Sequence, residues 1–324
     1  MKIVHIVMSE SFAGIEQHVN ELLANNLTTN PILICNESIA KFYSSKINIF
    51  EIKNYSRRSW FGKYKLMKIL KQINPDIVHT HGSKTTSLVA SVNKNKFKHI
   101  ATVHGIKKNK SIYEKADFVI GVSSPVLEGI KVPSNVITNW WNPSLNPISK
   151  NNDKKYALSI GRLEKVKGFD LLIKSWINIK SKLIIIGSGK EKNNLIKLIN
   201  DLNLKNKIKI IDQVDPIKLL DFYNEASMVI ISSINEGGPR VALEALHLKI
   251  PVLSTNVGHM DQIFSEDLLA KRNNLESLKN LFESYVDNID LLNQEAIYEY
   301  VTDEFSLDKK IKQIQETYKS LLSN

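Results

Sequence analysis

The run Asn235-Glu236-Gly237-Gly238-Pro239-Arg240-Val241-Ala242-Leu243-Glu244-Ala245 sets two carboxylates eight positions apart across a glycine-rich turn. Before it, the apolar stretch Met228–Ile231 ends in Ser232-Ser233; after it, the apolar spacing of residues 241–246 predicts a helix. Pro239 suits the first turn of such a helix, where the missing N–H costs nothing. Glu236 then lies at the helix mouth and Glu244 one or two turns along, with unpaired backbone N–H groups between them. A mouth of this kind holds an anion such as a diphosphate, and the flanking carboxylates accept hydrogen bonds from sugar hydroxyls.

Other segments carry polar residues at the ends of apolar runs. Ser11-Phe-Ala-Gly14-Ile-Glu16-Gln-His18 is a turn in which Gly14 enters a helix, and Asp76-Ile-Val-His-Thr-His81-Gly82 and Ile100-Ala-Thr-Val-His104-Gly105 each close a strand on His-Gly. Later come Gly161-Arg162-Leu-Glu-Lys165-Val-Lys167-Gly168-Phe-Asp170, the turn Gly187-Ser-Gly189, and Asp212-Gln-Val214 ahead of a helix. Only Gly14 stands where Gly-x-Gly-x-x-Gly would be needed, which disfavours a nicotinamide enzyme. No Asp-x-Asp pair closes a strand to hold Mg²⁺ or Mn²⁺, and Asp287-Asn-Ile-Asp290 falls in a helical stretch, so neither a metal nor a cofactor is expected.

These motifs sit on a repeating pattern of elements. Strands near 2–8, 31–35, 47–52, 76–80, 99–103, 117–122 and 134–138 alternate with helices near 15–27, 60–74 and 84–93. After a Pro-, Asn- and Ser-rich linker over 139–153, strands near 156–160, 182–186, 207–211, 227–231 and 250–254 alternate with helices near 168–179, 190–202, 216–225 and 240–248. Such alternation predicts an α/β chain with two doubly wound parallel sheets, the domains spanning 1–145 and 151–305. Ligands in such folds bind at the carboxyl ends of the strands.

The Glu236-x7-Glu244 block, with Ser232-Ser233 ahead of it and the strand 250–255 behind, resembles the signature of the family 4 retaining glycosyltransferases. The resemblance implies the GT-B fold, two facing Rossmann-like domains around an interdomain cleft, with the final helix, from about residue 306, packing back on the first domain. It extends to Gly161-Arg162…Lys167-Gly168, where Arg162 and Lys167 would neutralise the leaving diphosphate. It also implies that Glu236 holds sugar hydroxyls without being a covalent nucleophile, that Glu244 holds the ribose, and that His104 contacts the transferred sugar. Gly14, Gly161, Gly237, Gly238, Pro239 and Arg240 would line the donor site, and the backbone at Val214 would read the nucleobase. The family commonly has Asn-Gly-hydrophobic-Asp after the last first-domain strand; here Asn139-Trp140-Trp141-Asn142 stands instead, suited to an acceptor site, a hinge or domain packing.

The function expected is transfer of a sugar from a UDP- or GDP-linked donor to a glycan or lipid-linked glycan, in cell-surface polysaccharide or lipopolysaccharide synthesis. A nucleotide-sugar epimerase of the same fold and a catalytically silent sugar-nucleotide binder are the alternatives. The 324 residues are 43% hydrophobic and 24% charged, an ordinary globular composition. Residues 1–150 hold 20 basic and 9 acidic residues and carry the whole net charge of +11. The basic residues from Arg57 to Lys71 are interleaved with Trp60, Phe61, Leu66, Ile69 and Leu70 at helical spacing, which fits either an anionic membrane surface or an ordinary amphipathic helix. No nucleic-acid recognition motif accompanies the charge. Lys2–Met8 is too short for a signal or spanning segment and Cys35 is a lone thiol, so a cytoplasmic protein, peripheral at most on the inner membrane face, is expected.

Overall fold

A computed structural model describes residues 1–25, 27–93, 96–145 and 155–323. The chain divides into two compact units, Met1–Thr138 together with Asp308–Asn324, and Asn139–Leu307.

The first unit is built on seven parallel strands, β1 (Ile3–Val7), β2 (Ile32–Asn36), β3 (Asn48–Ile52), β4 (Ile77–His81), β5 (Lys98–Val103), β6 (Phe118–Gly121) and β7 (Ser134–Val136), in the order β3-β2-β1-β4-β5-β6-β7. The helices that follow β1, β3 and β4 are α1 (Gly14–Ala24), α2 (Trp60–Ile73) and α3 (Ser83–Val92), and the short α4 (Ser124–Leu127) follows β6. Sheets covered on both faces read as apolar runs rather than alternating ones, and β1, β2 and β4 are buried along their whole length. One face, with Val4, Ile6, Ile32, Ile34 and Val78, packs against Leu66, Leu70 and Ile73 of α2 and Leu88 and Val89 of α3. On the other face, register sets His5 beside His79 and His81 beside Thr102. Cys35 is buried there, its thiol pushed up to about 12 by burial and by Glu51.

The second unit repeats the plan with six parallel strands: β8 (Tyr156–Ile160), β9 (Leu183–Ile186), β10 (Ile208–Ile211), β11 (Ala226–Ile231), β12 (Val252–Thr255) and β13 (Leu269–Ala270), ordered β10-β9-β8-β11-β12-β13. Its helices are α5 (Phe169–Ser175), α6 (Lys192–Asp201), α7 (Pro216–Glu225), α8 (Arg240–His247), α9 (Leu275–Tyr285) and α10 (Glu295–Glu304). Phe169, Leu172, Ile173 and Trp176 close one core with Leu278 and Phe282 of α9. Ala242, Leu243, Ala245 and Leu246 of α8 close another with Val229 and Val252. Beside β12 the amide of Gln294 replaces a neighbouring strand, accepting from Val252 N at 2.9 Å and donating to Val252 O at 2.8 Å. Buried backbone groups need such partners.

The last helix, α11 (Leu307–Ser323), belongs to the first unit from Asp308 onward. Its Ile311, Ile314 and Tyr318 are buried, Tyr318 reaches His5 and His79 on that sheet's second face, and Gln315 donates to Leu27 O at 3.0 Å.

Two expectations change. The helix expected over 168–179 stops at Ser175. Asn139–Leu145, expected as linker, is packed structure: Trp140 is buried, and Trp141 stacks on His247 with ring centroids 3.7 Å apart while donating to Thr302 O at 3.2 Å. The remainder of the expected linker, 146–153, lies outside the described residues.

Candidate active site

In each sheet the strand order reverses once, between β1 and β4 and between β8 and β11. Loops leaving the carboxyl ends of such a pair run in opposite directions and open a crevice between them. In the second unit those loops are Gly161–Gly168 and Ser232–Pro239. They are stitched together: Ser232 Oγ donates to Lys167 O at 2.9 Å and Ile234 N to Val166 O at 2.8 Å. Gly168 makes the close approach feasible, with a left-handed φ of +63° and no Cβ to meet the Ser232 carbonyl.

The stitching brings Lys167 to Glu236. Lys167 Nζ forms an ion pair with Glu236 Oε1, and Ser233 Oγ donates to the same oxygen at 2.8 Å. Both side chains are largely enclosed, 20% and 10% exposed, and with Ser232, Ser233, Pro239 and Arg240 they line a pocket at the carboxyl ends of β8 and β11. Helix α8 begins at Arg240, so Pro239 is its cap rather than its first turn. Among the described residues the N–H groups of Gly237, Gly238 and Val241 donate to no protein acceptor. A cation beside free amide donors at a helix mouth is a site for a polyanion.

The other expected donor residues are distributed around this pocket. Glu244 lies one turn into α8, buried, and Tyr223 Oη donates to its Oε2 at 3.0 Å. The Tyr223 phenol is raised well above its ordinary range by burial and by the adjacent Glu244 carboxylate. Asn139 Nδ2 donates to Gly238 O at 2.8 Å, and a Cβ on Gly238 would lie 2.7 Å from His259 Nδ1. Gly161 follows β8, and Val214 is half-buried between β10 and α7. Arg162 departs from expectation: its side chain is 70% exposed, pairs with Glu164 at 2.8 Å and is not part of the pocket wall.

In the first unit Gly14 opens α1, and the Glu16 carboxylate turns back to bond Ser9 Oγ and Ala13 N, the latter at 3.0 Å. His104, just beyond β5, meets His81, at the end of β4, through an Nε2···Nδ1 contact of 3.1 Å. That contact is one link in a buried series. His81 Nε2 lies 3.0 Å from His5 Nδ1, His5 Nε2 lies 3.1 Å from Tyr318 Oη, and Tyr318 Oη lies 2.6 Å from His79 Nδ1. His79 Nε2 ends the series at Thr102 Oγ1, 2.6 Å away. His18 on α1 sets its ring edge-on to His104, with centroids 4.7 Å apart.

Burial lowers every imidazole of the series: His5 and His104 to about 3, and His79 and His81 well below the ordinary value, with neighbouring histidines adding to the effect in the latter two. Nitrogens of His5, His79 and His81, and of His18, His81 and His104, lie within 4.8 Å of one another, close enough for three imidazoles to meet one metal ion. Both nitrogens of His5, His79 and His81 already take part in the hydrogen-bonded series.

Sequence reasoning did not find this series, nor Tyr223 and His259. The one available signal was polar residues at strand-interior positions, His5 inside Ile-Val-His-Ile-Val and His79 two residues before His81. Tyr318, more than 200 residues away in sequence from its partner His79, carried no local signal.

Residues 144–301 match the family described as glycosyl transferases group 1, and residues 14–131 match glycosyltransferase family 4. An uncharacterized glycosyltransferase of Haemophilus influenzae is 27% identical, the match covering 99% of each chain. The N-acetylgalactosamine-N,N'-diacetylbacillosaminyl-diphospho-undecaprenol 4-alpha-N-acetylgalactosaminyltransferase of Campylobacter jejuni is 28% identical over 45% of this chain and 43% of its own. Among solved structures, HepE of Anabaena in complex with UDP-glucose superposes with a TM-score of 0.81 at 17% identity, covering 99% of this chain and 100% of that one.

The neutral histidines make the first unit acid-sensitive. Their folded pKa values lie below the unfolded value near 6.5, so the stability they contribute is present above pH 6.5 and is lost as pH falls toward about 3. Thermal unfolding followed across that range should show a falling transition temperature, and replacing His79 by Gln should reduce the slope. An unchanged slope would mean that His79 is not held neutral in the folded protein.

Proposed function

Because the chain belongs to glycosyltransferase family 4 and has the GT-B fold, we propose that it moves a sugar from a nucleoside diphosphate donor to a hydroxyl of a glycan or lipid-linked glycan. The observation that carries this reading is the Lys167–Glu236 pair beside the unpartnered amides of Gly237, Gly238 and Val241. As the bond from the anomeric carbon to the β-phosphate oxygen breaks, negative charge grows on the diphosphate and positive charge on the sugar. Lys167 and the α8 mouth stabilise the first, already oriented before the reaction. Glu236 accepts hydrogen bonds from sugar hydroxyls, and Glu244 accepts from the ribose. The acceptor oxygen bonds to the anomeric carbon on the face the diphosphate leaves, and its proton passes to the departing phosphate, so configuration is retained. His104 contacts a sugar oxygen of a substrate, and Arg162, exposed where it pairs with Glu164, swings onto the phosphates.

A UDP donor is supported by the complex of HepE with UDP-glucose. A lipid-linked acceptor is supported by the name of the Campylobacter relative and by α2. That helix buries Leu66, Leu70 and Ile73, yet leaves Trp60, Tyr64 and Met67 exposed along a second stripe with Lys65, Lys68 and Lys71 around it. Apolar side chains within a basic face are the pattern of an interfacial helix. Among the described residues no helix is long and apolar enough to cross a membrane.

Two measurements test the reading. Lys167→Ala and Arg162→Ala should each lower turnover at least about tenfold, whereas Glu244→Ala should mainly raise the donor KM, since a ribose contact is equally present before and during reaction. Unchanged kinetics in a folded Lys167→Ala enzyme would remove the phosphate assignment. On membranes, the protein should sediment with anionic vesicles, be released by salt, and lose binding when Lys63, Lys65 and Lys68 are changed to Glu, each lysine being worth about 1 kcal/mol. Equal sedimentation with neutral vesicles would rule out the electrostatic contact.

A further inference from the structure

The hydrogen-bonded series in the first unit has a direction. A neutral imidazole carries one proton, so one of its nitrogens donates and the other accepts; the Tyr318 oxygen could accept from both of its neighbours, but its own buried proton would then be left without a partner, so the series runs one way throughout. Five hydrogen bonds join six groups: Thr102, His79, Tyr318, His5, His81 and His104.

If His104 donates first, every later group passes its proton inward and His79 donates to Thr102 Oγ1. The Thr102 hydroxyl proton then has nowhere to go: the residue is buried, and His79 is its only side-chain partner among the described residues. If Thr102 donates to His79 Nε2, the five protons satisfy the five bonds. His79 Nδ1–H donates to Tyr318, Tyr318 O–H to His5 Nε2, His5 Nδ1–H to His81 Nε2, and His81 Nδ1–H to His104 Nε2. Buried polar groups favour the arrangement that leaves none unpaired.

We propose that Tyr318 of α11 is a positioning residue that, through this series, fixes His104 with its proton on Nδ1, so that neutral His104 presents a hydrogen-bond donor to an oxygen of a sugar substrate. The part concerning the sugar rests on the transferase reading; the tautomer does not. Nδ1 of His104 has no protein partner among the described residues, and the half-buried ring is the only one of the four imidazoles in the series that is not fully enclosed. Burial keeps all four rings neutral, so no extra proton blurs the direction. The T-shaped contact with His18 holds the plane of the His104 ring. Linking this helix to His104 makes the end of the chain part of the site's proton arrangement as well as a cover for the sheet.

Long-range ¹H–¹⁵N spectra of histidine-labelled full-length protein test this, with His104 assigned by its absence in His104→Gln. The expected result is the Nδ1–H tautomer at His5, His79, His81 and His104 together, whereas histidine free in solution favours Nε2–H. Tyr318→Phe keeps the shape but cuts the series, so His104 should shift to a mixture of tautomers, turnover should fall about three- to tenfold for one misdirected hydrogen bond, and UDP affinity should not change. Thr102→Val, cutting the opposite end, should have the same spectral effect. Nε2–H at His104 in the unaltered protein, an unshifted tautomer in both variants, or a metal ion bound stoichiometrically by these rings would overturn the proposal. The spectra need no transfer assay. An inactive protein with the expected tautomers would therefore count against the transferase reading alone, and an active transferase with Nε2–H at His104 against the relay alone.

Discussion

The pairing of Lys167 with Glu236 at the carboxyl ends of β8 and β11 is the contact around which the second unit is arranged. Lys167 leaves β8 through a turn that Gly168 redirects, and Glu236 leaves β11 through a loop tied to that turn by Ser232 and Ile234. Parallel strands aim both loops to the same edge of the sheet, and the reversal of strand order keeps the space between them open. A lysine held beside a carboxylate and beside amides that lack acceptors stands close to where an anion would bind, and only its ammonium need turn from Glu236 to meet one. Fixed positive charge and amide donors of this kind suit the proposed expulsion of a diphosphate.

The first unit solves a different problem. Its sheet is covered on both faces, yet one face carries His5, His79 and His81 where apolar residues would be expected. Burial of these rings is tolerable because each nitrogen meets a partner. The partner that completes the set, Tyr318, comes from a helix that follows the whole of the second unit in sequence. Ile311 and Ile314 of the same helix are buried as well. The first unit is thus made of two separate stretches of chain, Met1–Thr138 and Asp308–Asn324.

Both sheets were legible in the sequence because strand and helix differ in the period of their apolar residues, and the expected strands from β1 to β12 lie where they were placed to within a residue or two. The Glu236–Glu244 segment was legible because its chemistry is local: the turn, the cap and the first helical turn lie within eleven residues. The two-residue β13 was too short to show a period. Asn139–Leu145 was misread as linker because Pro and Asn mark irregular backbone but not whether it packs; Trp141 finds His247 and Thr302 only in three dimensions. The pairing of Arg162 with Glu164, two residues away, was open to inspection but does not follow from charge alone. Tyr318 and the histidine series depend on register between β1, β4 and β5 and on a helix 239 positions after His79, information that no local pattern holds.

The proposed seat of a nucleoside diphosphate is the mouth of α8, against Lys167. A crystal structure of the protein with UDP addresses it directly. The expected result is diphosphate density within hydrogen-bond distance of the amides of Gly237, Gly238 or Val241, with Lys167 Nζ turned from Glu236 toward a phosphate oxygen. A diphosphate bound elsewhere, with the Lys167–Glu236 pair undisturbed, would contradict it.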